Sequence, residues 1–187
     1  MAKKFTDNNK IPISEELYLQ KIKLKDHSVL YDLMKRIYPP AYIDYWKDDG
    51  VWYVNDLYNK ENFKKELTEE KADYFFVVLE DHIIGIIRIV YGINTDYKTD
   101  DNYVKLHRLY LDQTIQNKGL GYKIMIWLIE SSEEKGYKNL WLEVMEKQQQ
   151  ALYFYEKLGF YEVDKVLIDF PLVFDEYRGM FKMLKNI

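Results

Sequence analysis

Two glycines set at the head of a helical stretch are the residues of this sequence best placed to do chemistry. The run Gln116-Asn117-Lys118-Gly119-Leu120-Gly121 lies between a strand-like segment ending at Leu111 and a long stretch with helical spacing. Glycine lets a backbone approach an anion closely. The free N–H groups of a first helical turn, together with the helix dipole, favour a phosphate or pyrophosphate there. The same spacing also serves a plain tight connection from strand to helix. Two familiar phosphate loops do not fit. G-x-x-x-x-G-K-[ST] fails because Tyr122 follows Gly121, and the three-glycine dinucleotide fingerprint fails because Ile124 holds its third position.

Composition removes other chemistries. The chain has no cysteine, which excludes disulfides, thiolate nucleophiles, thiolate zinc sites and cysteinyl iron–sulfur clusters. Its three histidines, His27, His82 and His107, are too far apart for a recognised metal-ligand spacing, so no metal is expected. The net charge of −4 (27 basic against 31 acidic residues) gives no basic footprint for nucleic acid. Charge is uneven, however: residues 41–101 hold fourteen acids against seven basic residues, whereas residues 1–25 hold six lysines against three acids. The acidic middle hints at a cationic ligand, or is a solvated face of no consequence. The N-terminus lacks the apolar core of a secretion signal and no apolar run reaches membrane-spanning length, so a cytoplasmic location with no membrane partner is expected.

The elements that must position the glycines follow from periodicity. The 187 residues, 48% apolar and 31% charged, suit a single domain over residues 1–187, of which 1–17 read as an N-terminal tail. Residues 18–24 alternate as a strand. Asp26 then caps a helix through Leu30, Leu33, Met34 and Ile37, which Pro39 and Pro40 should end. Residues 41–60, aromatic and acidic, have no clean period and read as short helix plus loop. A polar helical turn over 61–71 precedes two apolar runs, 74–79 and 83–93, that read as a β-hairpin. A polar loop over 94–102 leads to a strand over 103–111. Leu120, Ile124, Trp127 and Leu128 mark a helix stopped by Gly136, and 139–145 form the next strand. A short helix over 148–158 closes at Gly159, and strands over 160–168 and 177–184 end the chain. The order describes a mixed sheet with helices on both faces.

The glycine run gains meaning from Ala151-Leu-Tyr-Phe-Tyr155-Glu-Lys157-Leu-Gly159-Phe160 downstream. The pair, Q-x-x-G-x-G after a strand and A-x-x-x-Y-x-K-x-G-F about 30 residues later, resembles the Gcn5-related N-acetyltransferase (GNAT) family. Residues 139–144, Asn-Leu-Trp-Leu-Glu-Val, followed by Glu146-Lys147, look most like its bacterial spermidine/spermine acetyltransferase group. The resemblance implies an α/β (α+β) fold with one mixed, mostly antiparallel sheet of about seven strands flanked by helices. It further implies acetyl-CoA as co-substrate, no metal, and direct attack on it by a primary amine of a small cationic, polyamine-like metabolite in a ternary complex.

Roles come with the resemblance, residue by residue. The CoA pyrophosphate would sit on backbone N–H groups from Gln116, Asn117, Lys118, Gly119, Leu120, Gly121 and Tyr122, with Lys118 adding charge. Pantetheine would run along Leu109, Tyr110 and Leu111, pairing with the backbone at Leu109 and Leu111, and the thioester carbonyl would accept from the Leu111 N–H. Tyr155 matches the family's general acid, which protonates a thiolate of pKa ~8.5. Gln148 stands where the family usually has Asn, and Lys157 either reaches a CoA phosphate or is solvated.

An amine of pKa ~10 arrives protonated and must lose a proton. His107 is the candidate base, since strict alternation gives it the parity of Lys105, Leu109 and Leu111; a β-bulge would reverse that argument. Glu143 is the second candidate. The acceptor pocket would come from residues 38–58 and 169–176, both mixing aromatics with acids, although aromatics serve as core as readily as cage. Competing expectations are acetylation of a protein N-terminus or lysine, and a non-catalytic CoA-binding module. A homodimer through the last strands is a further expectation.

Overall fold

The computed structural model describes residues 9–115 and 118–187. Eight strands form one sheet: β1 (Lys10–Pro12), β2 (Leu17–Lys21), β3 (Ala72–Leu79), β4 (His82–Ile93), β5 (Thr99–Leu111), β6 (Asn139–Met145), β7 (Tyr161–Leu167) and β8 (Gly179–Asn186). Their order is β1-β2-β3-β4-β5-β6-β8-β7, and among the described residues β5 with β6 is the one parallel pair. The α-helices are α1 (His27–Tyr42), α2 (Val51–Leu57), α3 (Lys60–Leu67), α4 (Leu120–Glu134) and α5 (Gln149–Lys157).

This mixed, mostly antiparallel architecture is the expected one with one strand more. The extra strand, β1, lies in the stretch that reads as a tail: it pairs Ile11 with Leu19, and Ile11 and Ile13 pack on the core. Strand β5 likewise starts at Thr99, inside the expected loop, because Thr99 pairs with Ile93.

Helices cover both faces of the sheet, which is why the β3 and β4 sequences read as unbroken apolar runs instead of alternating ones. Along β3, Phe75 and Val77 enter a core with Leu120, Ile124 and Leu128 of α4, while Tyr74, Phe76 and Val78 enter a second core with Leu30, Met34 and Phe63 of α1 and α3. Burying each such aliphatic or Phe side chain stabilises the fold by ~1.5–3 kcal/mol. Strand β7, at the sheet edge, is exposed along nearly all its length.

Helix α1 runs through Pro39 and Pro40 instead of ending there. The prolines remove N–H donors only near its C-terminal end. Packing holds the turn they occupy: Tyr38 is buried and stacks on Tyr42 one turn later, ring centroids 4.5 Å apart. The extra turn carries Tyr42 to the site described next. No helix among the described residues is long and apolar enough to cross a membrane.

Candidate active site

A one-residue irregularity in β5 opens the sheet. Arg88 of β4 faces Arg108 and Ile89 faces Leu106, so His107 is the extra residue of a β-bulge. The parallel ladder with β6 stops one step earlier, at Leu106 with Leu142. Beyond that point β5 stays with β4 as far as Leu111 and Gly85, and β6 stays with β8 as far as Met145 and Met180. The facing edges, residues 107–111 and 143–145, therefore part into a slot. The Asp112 N–H donates to the Ile84 carbonyl (2.8 Å), and the Tyr110 carbonyl also faces β4, 2.2 Å from where a Cβ on Gly85 would stand. By strand alternation the Leu109 and Leu111 peptide groups face the slot.

The glycine turn lies at the end of that slot. Gly119 precedes α4 with φ 69°, a left-handed conformation that glycine adopts without the usual penalty. Among the described residues no side chain caps this terminus. The first intrahelical bond is made by the Lys123 N–H to the Gly119 carbonyl, so among the described residues the N–H groups of Leu120, Gly121 and Tyr122 have no acceptor within the helix. A Cβ on Gly121 would touch Phe154 at 3.6 Å and Leu111 at 3.9 Å, which fixes the turn over the slot's end. Lys118 and Tyr122 are exposed and Leu120 is buried. Gln116 and Asn117 lie outside the described residues.

Helix α5 brings Tyr155 to the same place. Its ring packs between Phe154 and Phe160, and burial pushes its phenol up to about 12. Across from it, the Tyr42 hydroxyl is raised by burial, lies within reach of the Gln148 side chain, and senses Tyr155. Gln148 thus meets Tyr42, a contact without sequence signal. Lys157 lies over the Tyr153 ring at 4.3 Å on the exposed side of α5. The Tyr110 side chain points to the α1–α3 face, where its hydroxyl meets that of Tyr53 at 2.8 Å.

The bulge corrects the parity argument for His107. Leu109 and Leu111 share a core with Val104 and Leu106, whereas the His107 ring lies with Arg88 and the α3 side. Its Nδ1 is 2.5 Å from Arg88 Nη1. Burial, then the cations Arg108, Arg88 and Lys105, hold the imidazole well below its ordinary 6.5. Glu143 is engaged by Lys105 at 2.8 Å and by the Tyr97 hydroxyl.

The two aromatic, acidic segments do meet. Trp46 bridges to Val173, the Lys47 N–H donates to the Leu172 carbonyl (2.8 Å), and the Phe174 N–H to that of Tyr45 (3.1 Å). Four of their nine rings are core: Tyr38, Trp46, Tyr53 and Tyr58 are buried. Beside them lies a cavity of about 350 Å³, lined by Tyr42, Asp44, Tyr45, Lys147 and Tyr177 among others. Some of the acids are paired within the molecule, Glu66 with Arg108 in a buried bridge, and Asp73 with Lys21 and Asp101 with Lys71 at the surface. Among the described residues no three His, Asp or Glu side chains group as metal ligands.

The model of the acetyltransferase (GNAT) family matches residues 29–160, most of the chain, and the protein belongs to that family. An uncharacterized N-acetyltransferase of Lactobacillus delbrueckii subsp. lactis is 22% identical over 112 residues, 60% of this chain and 65% of that protein. The ribosomal protein bS18-alanine N-acetyltransferase of Escherichia coli is 39% identical over 57 residues, 30% of this chain and 38% of that one. The chain thus spans less than two thirds of the length of these curated relatives. In fold it is similar to the PaiA N-acetyltransferase of Thermoplasma acidophilum in complex with coenzyme A (TM-score 0.69, 20% identity, 91% of this chain and 99% of that one). The spermidine N-acetyltransferase SpeG of Vibrio cholerae shares the fold as well (TM-score 0.64, 18% identity, 92% and 95%).

Proposed function

We propose that this protein transfers the acetyl group of acetyl-CoA to the primary amine of a small cationic, polyamine-like metabolite, with both substrates bound together. The slot between β5 and β6, closed at one end by the glycine turn, is the observation that carries this reading. Its residues suit CoA: uncapped N–H groups at a helix head for the diphosphate, with Lys118 beside them, and strand peptide groups at Leu109 and Leu111 for the pantetheine amides.

Acetyl-CoA supplies an activated thioester. The acceptor amine, once its ammonium proton has passed to water, attacks the thioester carbon while the Leu111 N–H donates to the thioester oxygen; the C–S bond then breaks, and the proton the nitrogen still carries replaces, through water, the one that Tyr155 gives up. Tyr155, protonated at neutral pH because burial raises it to about 12, gives its proton to the departing sulfur. A thiolate of ordinary pKa ~8.5 is a weak base for such a phenol, but one formed in the same dry slot is raised by desolvation too. With no cysteine in the chain, no cysteinyl acyl-enzyme is invoked. Asp44 and the rings of Tyr42, Tyr45 and Tyr177 receive the cationic acceptor, each close cation–π contact contributing ~0.5–2 kcal/mol.

The test is thiol release from acetyl-CoA with a panel of polyamines, diamines, amino sugars and peptides, on the parent and on Tyr155→Phe. Release is expected with polyamines, and the variant should lose ~10²-fold or more in kcat while binding CoA as the parent does by calorimetry. The 57-residue match to the bS18-alanine acetyltransferase favours a second reading, acetylation of protein N-termini, which release with peptides alone would establish. CoA binding without release for any amine would make the protein a non-catalytic CoA-binding module.

A further inference from the structure

We propose that His107 is a positioning residue whose ring, clamped to Arg88, locks the bulge that holds β5 off β6 and so sets the opening of the cofactor slot. This rests on reading that slot as the acetyl-CoA site.

The clamp is built from both sides of the bulge. A guanidinium has donors only, so the His107 Nδ1 must accept from Arg88, and the ring proton sits on Nε2. Arg88 is rigid: it is 2% exposed, pairs with Glu69, and its Nε lies 3.8 Å from Glu66. Arg108, the next residue, holds both Glu66 oxygens at 2.6 and 2.9 Å. The charged groups around the imidazole are therefore Arg88 from β4, Lys105 and Arg108 from β5, Glu66 from α3 and Glu69 just beyond it. Both glutamates are engaged by arginine. Taking up a proton would set a cation against Arg88 and break the clamp, which suits a fixed acceptor better than a base.

The bulge itself has a competitor. Without an anchored extra residue, β5 can slip by one and continue its ladder with β6 past Leu106 and Leu142. A one-residue slip turns every following side chain and peptide group to the opposite direction. Leu109 and Leu111 would then present neither their side chains to the core nor their N–H groups to the slot.

CoA calorimetry and steady-state kinetics on His107→Ala, His107→Gln and Glu69→Gln decide the matter. The Kd for CoA should rise about tenfold in His107→Ala, the loss expected of one buried hydrogen-bond acceptor, kcat should fall with it as the Leu111 N–H turns from the thioester oxygen, and the pH profile of kcat/KM for the amine should keep its shape. His107→Gln, whose amide oxygen still accepts, should recover most of the affinity. Glu69→Gln, at the partly exposed far end of the clamp, should also weaken CoA binding, and it decides alone if His107→Ala does not fold. Unchanged CoA affinity in the folded variants overturns the inference. So does a His107→Ala enzyme that binds CoA normally but loses the acid limb of its pH profile, the signature of a base. A parent that binds no CoA overturns the reading of the slot and this inference together; one that binds while its variants bind equally overturns the inference alone.

Discussion

On the proposed reading, the cofactor half of the site is made of backbone, and the acceptor half is made of side chains. In the first, a left-handed glycine, the free N–H groups of one helical turn and two strand peptides converge, all within residues 109–122. In the second, Tyr42 at the end of α1 and Asp44 just beyond it meet Lys147 and Tyr177, over a hundred residues away. A backbone site tolerates many side chains but no change of conformation. A side-chain site has the opposite sensitivity, so substitutions can separate the halves.

The largest effect is expected where the halves join, in the loss of kcat for Tyr155→Phe, since Tyr155 packs with the cofactor side and senses Tyr42 on the acceptor side. Next comes Gly119→Val. The left-handed conformation costs an L-residue ~1–2 kcal/mol, so CoA affinity should fall about tenfold or more, although a Cβ there meets nothing within 4 Å. If Gly119→Val binds CoA as tightly as the parent, the backbone account of the cofactor half is wrong. Asp44→Asn should raise KM for a cationic amine roughly three- to tenfold, the size of a partly exposed charge contact, and leave both CoA affinity and KM for a neutral amine in place. An equal effect on cationic and neutral amines would remove Asp44 from recognition of charge.

The smallest effect is one of stability. His107 is held below its ordinary 6.5 in the folded protein, by burial first and then by Arg108, Arg88 and Lys105. As pH drops below 6.5 the unfolded chain takes up this proton before the folded one does, so stability falls on acidification. The thermal midpoint of the parent should decline below pH 6.5 more steeply than that of His107→Gln. Parallel declines would show that the ring does not sense its cations as placed.

The sequence alone determined most of the elements and the glycine turn at the head of α4, because both depend on neighbouring residues. Unbroken apolar runs state a sheet buried on two faces, and Gly119 and Gly121 before an amphipathic stretch state an open helix head. The acceptor half was legible only as composition: residues 38–58 and 169–176 mix rings with acids, but nothing local separates Tyr42, which lines the cavity, from Trp46 and Tyr53, which are core. Three features needed the tertiary structure. Tyr38 stacking on Tyr42 overrode the stop that Pro39 and Pro40 signal. Strand β1 exists because β2 offers it an edge. The bulge at His107 leaves only a slight mark in Tyr-Val-Lys-Leu-His-Arg-Leu-Tyr-Leu: the apolar phase of Val104 and Leu106 shifts by one to that of Leu109 and Leu111 across the polar pair His107-Arg108, which does not say which residue is extruded. A bulge is placed by competition between the ladders on either side of a strand, here β4 against β6, and by the buried Arg88, Glu66 and Glu69 that hold the extra residue once it is there. Those partners lie far apart in the chain, so only folding brings their preferences into one balance.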